Sequence, residues 1–216
     1  MTSRSGGCAR LVIAGILVLI ALAGPREGIA REYGGEVLLE GGIANPLGDL
    51  GDGWFTTVKG FGAETGYEVG LRFRYFMTPK WALAPAFHYV EFGNFNGIDQ
   101  VQGAIQVETS LLRYGVDLQL FLPENRRFVR PFLSGGLGLC HNRYKDVLET
   151  DLSFFETSIN TLAFSFGGGL RVGEFEISGI YTLNRFSTRR FSEGLIDEDY
   201  NWDYFVVRAG FAFPTD

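Results

Sequence analysis

Hydrophobic and polar positions alternate along most of the chain. From Tyr67 to Met77 the odd positions are Tyr67, Val69, Leu71, Phe73, Tyr75 and Met77, while the even ones include Glu68, Arg72 and Arg74. Strand side chains point alternately to two faces, so a period of two with one apolar and one charged parity predicts a strand. The same pattern predicts eight strands, near residues 35–45, 66–77, 81–92, 104–122, 128–142, 159–172, 174–186 and 201–213. Short connections (Thr78–Lys80, Pro123–Arg127, Gly173) take turns with long ones rich in Gly, Asn and Asp, such as Asn45–Gly53 and Gly93–Gly97. That alternation predicts an all-β, eight-stranded, antiparallel up-and-down β-barrel with a tight-turn end and a loop end.

Residue volume decides which parity faces inward. On the charged parity the third strand has Ala82, Ala84, Ala86 and His88, the fifth Ser134, Gly136, Gly138 and Cys140, and the sixth Ala163, Ser165, Gly167 and Gly169. The other parity has Leu83, Phe87, Leu118, Leu137, Phe164, Phe166, Ile177, Val207 and residues of similar bulk. An eight-stranded barrel has room inside for side chains and little else, so the bulky set belongs outside. In water that set would form an apolar patch far larger than soluble monomers carry, so the barrel is expected to be transmembrane. Tyr67, Phe73, Tyr75, Trp81, Tyr181, Phe211 and Phe213 are the expected lipid-facing or girdle aromatics, with Phe128 beside a turn.

The lumen is then expected to hold Glu36, Glu40, Glu68, Asp117, Glu174 and Glu176 with Arg72, Arg74, Arg113, Arg130, Arg171 and Arg208. Buried charges need partners, and the planar fork of arginine suits carboxylates in a confined space. Glu40 has the second and last strands as neighbours, so Arg72 and Arg208 are its expected partners. The whole set reads as a polar plug.

The first thirty residues are different. Arg4 and Arg10 precede the apolar run Leu11–Leu22, and Gly24-Pro25 follows. This is the layout of a cleaved signal peptide, with a run too short to span a bilayer. Cleavage is expected after Ala30, with Ala23 the second choice, leaving residues 31–216 as one barrel domain. Processing takes three arginines and one glutamate from totals of 19 and 25, leaving 16 basic against 24 acidic groups and a net charge of −8. Nucleic acid is excluded as a partner on that balance. Cys8 precedes the apolar run and is no lipoprotein anchor. Cys140 is then alone, without a disulfide or a CxxC motif.

With the stretches YEVGLRFRYFMTPKWAL (Tyr67–Leu83), RPFLSGGLGL (Arg130–Leu139) and YFVVRAGFAF (Tyr204–Phe213), the chain resembles the small outer-membrane β-barrels of the OmpA/OmpX type. The resemblance implies outer-membrane localisation in a Gram-negative-type cell, with lipid and lipopolysaccharide around the wall. It also implies the outer-membrane assembly machinery as a partner, a monomer, and no cofactor. Family members commonly end on an aromatic residue read by that machinery; here Phe213 is followed by Pro-Thr-Asp and is expected to serve.

Candidate chemistry is sparse. Lipid A deacylases among such barrels carry a His-x-Ser pattern facing lipid, whereas His88-Tyr89-Val90 puts His88 on the lumenal parity, as a hydrogen-bonding histidine. His141 is read as interfacial. Pro85 is expected to mark a bulge and Pro131 a strand start, although such breaks also admit lipid in palmitoyl-transferring barrels. Asp197, Glu198, Asp199 and Asp203 lack calcium-loop spacing and read as a solvated acidic loop. Gly167–Gly169 precede no helix and read as barrel backbone rather than a phosphate loop. Trp54, Phe55 and Phe61 are expected to pack the first loop. The function that follows is non-enzymatic, structural or surface-interactive through the loops. A lipid-modifying enzyme of the lipid A deacylase or acyltransferase type and a narrow channel stay open as alternatives.

Overall fold

The computed structural model describes residues 34–52, 60–99, 103–122, 129–148, 154–188 and 198–215. The expected signal peptide, the tight turn at 123–127, Trp54, Phe55, Phe128 and Asp197 lie outside them.

Among the described residues ten strands form in chain order: β1 Gly35–Pro46, β2 Glu64–Phe76, β3 Trp81–Gly93, β4 Phe95–Asp99, β5 Gly103–Phe121, β6 Val129–Leu148, β7 Phe154–Val172, β8 Phe175–Thr188, β9 Glu198–Asn201 and β10 Tyr204–Thr215. All pairings are antiparallel. β1, β2, β3, β5, β6, β7, β8 and β10 each pair with the next, and β10 pairs back onto β1, so eight strands close a barrel. Closure joins the last strand to the first, so the cylinder common to the eight strands has no free edge. At the short-turn end Gly173 sits at φ +62°, a conformation that a side chain at that position would oppose. In the β2–β3 turn the Thr78 hydroxyl accepts from the amides of Lys80 (3.3 Å) and Trp81 (3.0 Å).

Two short strands were not expected. β4 falls in a stretch whose Gly and Asn content reads as loop, yet it continues β3 after Asn94 and pairs with β5 from Phe95–Val107 to Asp99–Gly103. β9 pairs with the upper end of β8. β6 runs to Leu148, past the predicted end at 142. Its outward positions there, His141, Arg143 and Lys145, are polar, so the apolar alternation stops while the backbone pairing goes on. Pro85 causes no bulge: β3 and β5 keep one register through it, with Pro85 opposite Val116. The register shift in this region lies in β2, between Glu64 and Tyr67.

The lumen is not lined only by small and charged residues. At the turn end Phe121 and Phe132 are buried on the lumenal parity, their rings 5.4 Å apart, with Phe76 beside Phe121 at 5.4 Å. At the loop end Phe61 stands edge-on to Tyr144 (5.3 Å), Tyr200 (5.5 Å) and Trp202 (5.0 Å), and Phe186 packs on the last two. Leu50, Phe92 and Tyr204 belong to this cluster, with Val90, Val107, Leu111 and Cys140 among its other members.

Candidate functional site

From the turn-end mouth toward the loop end runs a stack of charges. Lowest is Glu36, whose carboxylate receives both Nη atoms of Arg171 (2.7 Å each) and Nη1 of Arg74 (3.0 Å). Arg74 is buried and fully engaged, since Nε donates to Gln119 (2.6 Å) and Nη2 to Glu176 (2.6 Å). Above it Arg72, 0% exposed, faces three carboxylates: Glu40 at 3.3 Å, Asp117 at 3.6 Å and Glu176 at 3.7 Å. Arg113 donates to Asp117 and to the Ser165 hydroxyl, both at 2.7 Å. Arg208 forks onto Glu68, Nε on one oxygen and Nη2 on the other at 3.1 Å. A neutral tier follows, in which Asn142, Thr161 and Asn184 hydrogen-bond in sequence, and buried Asp203 accepts from the Asn184 amide and the Tyr181 hydroxyl (2.9 Å each).

A register rule connects these contacts. Glu40 stands opposite Gly70 on β2, which stands opposite His88 on β3, and Glu40 bonds His88 Nε2 across that glycine at 3.0 Å. Arg208 and Glu68 stand on either side of Gly42 in β1. Asp117 and Ser165 stand on either side of Gly136 in β6, with the hydroxyl 3.4 Å from the carboxylate. Each of these lumenal glycines leaves a gap through which the flanking side chains meet. This is why Arg208 binds Glu68 rather than the expected Glu40. A Cβ at position 70 would overlap the His88 ring. Gly70→Ala is therefore expected to cost about 1–3 kcal/mol, as overpacking of a filled interior does, read from the urea midpoint of the refolded barrel.

Arg130 and Glu174 are not in the stack. Arg130 sits half-buried at the turn-end mouth, its guanidinium 4.7 Å from the Phe121 ring centre and donating to the Pro79 carbonyl. Glu174 is exposed, because Gly173 and Glu174 make the turn and the inward parity starts only at Glu176. Asp203, read as part of a solvated loop, is 1% exposed. His88 is buried on Glu40, and His141 faces outward, bonded to Asn160 at 2.8 Å.

The outer wall is the chemical opposite. Tyr67, Phe73, Tyr75, Trp81, Phe211 and Phe213 are exposed, as are Leu39, Ile43, Phe87, Leu133, Leu137, Leu162, Phe164, Phe166, Ile177 and Val207. Tyr181 is half-buried, its ring 5.3 Å from Phe166. A belt of this size around a whole barrel has no counterpart on water-soluble monomers, and lipid is the medium that suits it.

No family model and no curated protein matches the sequence. Solved structures do. Ail, the attachment invasion locus protein of Yersinia pestis, is 17% identical over 83% of this chain and 99% of its own, with a TM-score of 0.52. Neisserial surface protein A is 15% identical over 84% and 97%, also at 0.52. The fold is that of the small outer-membrane β-barrels. A major outer membrane protein of Thermus thermophilus shares it at 9% identity, with coverage of 83% and 99% and a TM-score of 0.50. Identities this low carry the barrel architecture alone, so the tiers of the lumen stand on this chain's own geometry.

Sequence reasoning missed Gln119, Ser165 and Asn184 as partners of charged residues, and Asn142 and Thr161 as the rest of the neutral tier. All five lie on the lumenal parity of predicted strands. Extending the list from charged to neutral polar residues of that parity finds them.

Proposed function

We propose that this chain is exported with loss of residues 1–30 and sits in the outer membrane as a monomeric barrel closed by its own side chains. In this reading the assembly machinery inserts it, lipid and lipopolysaccharide surround it, and its work is structural or surface-interactive, done at the loop end. The observation that carries the reading is the opposition of an apolar outer wall to a lumen of paired charges. Closure of the lumen is supported by Arg72, Arg74, Arg113 and Arg208 standing with Glu40, Glu68, Asp117 and Glu176, all buried. The aromatic layers support it further: Phe121 lies between the guanidiniums of Arg74 (5.0 Å) and Arg130 (4.7 Å) at one end, and Phe61 packs among Tyr144, Tyr200 and Trp202 at the other.

The loop end is built to hold a shape. Asp49 accepts the Asn201 amide at 2.8 Å, and the Leu47 amide donates to the Asp203 carbonyl at 2.9 Å, tying the first long connection to the last. Loops fixed at their bases on a rigid scaffold suit recognition.

Two measurements on the purified protein test this. Unheated samples in detergent should migrate differently from boiled ones on a gel, and planar bilayers should show no steady conductance. A water-soluble protein without the shift would sink the membrane assignment. Steady currents altered by Arg113 or Asp117 substitution would replace the closed barrel with a channel, and acyl release or transfer from lipopolysaccharide would replace it with an enzyme.

A further inference from the structure

We propose that residues 47–52 and 60–63 form a stopper for the loop end of the lumen, a single piece that lifts as a unit and exposes the lumen down to Cys140 while the charges below stay shut. The proposal rests on the closed-barrel reading above and gives that closure a moving part.

The piece is held together from within. Gly48–Leu50 form a 3-10 turn, and the Gly48 carbonyl accepts from the amides of Gly51 (3.1 Å) and Asp52 (3.0 Å). The returning chain lies on this turn: the amides of Phe61, Gly62 and Ala63 donate to the carbonyls of Asp49, Asp52 and Leu50 at 2.9, 2.8 and 2.9 Å. Fewer bonds lead outward. Among the described residues, the Leu47 amide donates to the Asp203 carbonyl (2.9 Å) and Asp49 Oδ2 accepts from the Asn201 amide (2.8 Å). Both partners lie between β8 and β10, outside the eight-stranded cylinder. Two apolar side chains add to these ties: Leu50, 0% exposed, and Phe61, with its ring against Tyr144, Tyr200 and Trp202. A segment bonded mostly to itself is one that opens locally, at a free energy below that of global unfolding. Closed is the resting state, and in it the loop end keeps its shape.

Beneath the stopper the same apolar cluster continues through Phe92, Val107 and Leu111 to Cys140, which is 0% exposed. Cys140 is on the lumenal face of β6, four residues below Tyr144 and so about 13 Å from it along the strand. Arg113 stands opposite it on β5, and the charges begin there. Cys140 thus marks the floor of the space that Leu50 and Phe61 close. With Cys8 in the expected signal peptide, it is also the one thiol of the mature chain, so its reactivity reports the opening directly.

Refolded mature barrel, shown to be closed by its gel shift, is treated with methyl methanethiosulfonate, and the mass added at Cys140 is followed over time at a series of low urea concentrations. Wild-type labelling should be slow and nearly independent of urea well below the unfolding midpoint, since a local opening exposes little surface. Asp49→Ala removes one tie and should speed labelling on the order of tenfold, about what a hydrogen bond to a charged group gives. Phe61→Ala should speed it roughly a hundredfold, as loss of a packed ring does, and both variants should keep the gel shift. Phe132→Leu at the turn end is the control for general loosening and should leave the low-urea rate unchanged. A wild-type rate that rises with urea in step with loss of the gel shift, or a rate that neither loop-end variant changes, overturns the stopper and leaves the closed barrel standing. Fast wild-type labelling without urea, unaltered by the variants, overturns both, because the lumen is then open to Cys140.

Discussion

Replacing Arg72 by leucine will lower the barrel's unfolding free energy by about 3–5 kcal/mol, the range for removing one partner of a buried ionic set. Urea titration of protein refolded into lipid vesicles, followed by tryptophan emission, gives the number. The size follows from the geometry. Arg72 is fully buried and is the cation common to Glu40, Asp117 and Glu176. Without it, Glu40 keeps His88, Asp117 keeps Arg113 and Glu176 keeps Arg74, yet three carboxylates face one another around an apolar side chain. Adding Glu40→Gln to Arg72→Leu should recover part of the loss, since residues in one network couple and the double-variant cycle measures that coupling. A loss below about 1 kcal/mol for Arg72→Leu would mean that the lumen is wet enough to treat these charges as surface ones.

The second large effect belongs to the wall. On β7 the outward apolar positions run from Leu162 to Val172, with Asn160 beyond one end and the Gly173 turn at the other. Phe166 lies near the middle of that span and is 54% exposed. Phe166→Arg should destabilise the barrel in vesicles by about 2–4 kcal/mol, whereas Val172→Arg at the rim should cost about 0–1 kcal/mol. Phe166→Leu is the control for the lost ring contact with Tyr181. Equal costs at 166 and 172 would rule out a bilayer centred on this belt.

Much of the architecture was legible because one quantity, side-chain volume by parity, decides it. Bulky residues on one parity of eight segments can only face outward, and alternating short and long connections impose antiparallel order. The inside of the lumen was less legible. Which charges face inward follows from parity, but which ones touch follows from register, and register depends on shear between strands that no single segment encodes. Arg208 meets Glu68 because Gly42 lies between them, a fact visible only once both pairings of β1 are known. Glu174 was misplaced for a simpler cause: it shares the lumenal parity of Glu176 but belongs to a turn of two residues, and Gly173 alone did not announce that length. β4 and β9 were hidden by turn-rich composition, which local preference reads as loop although the neighbouring strand offers free backbone groups to pair with.

The glycine gaps bear on the order of events when the barrel is made. A contact that passes over a glycine needs three strands in place, not two: Glu40 to His88 spans β1, β2 and β3, and Asp117 to Ser165 spans β5, β6 and β7. Glu68 to Arg208 goes further, because it spans β2, β1 and β10 and so crosses the seam where the last strand meets the first. It can form only at closure. Interactions absent until the final step stabilise the finished state without guiding the approach to it, so they slow escape from the barrel rather than hasten entry. The Glu68–Arg208 pair then acts as a latch on a completed cylinder, and the aromatic wall is left to bring the hairpins into the bilayer.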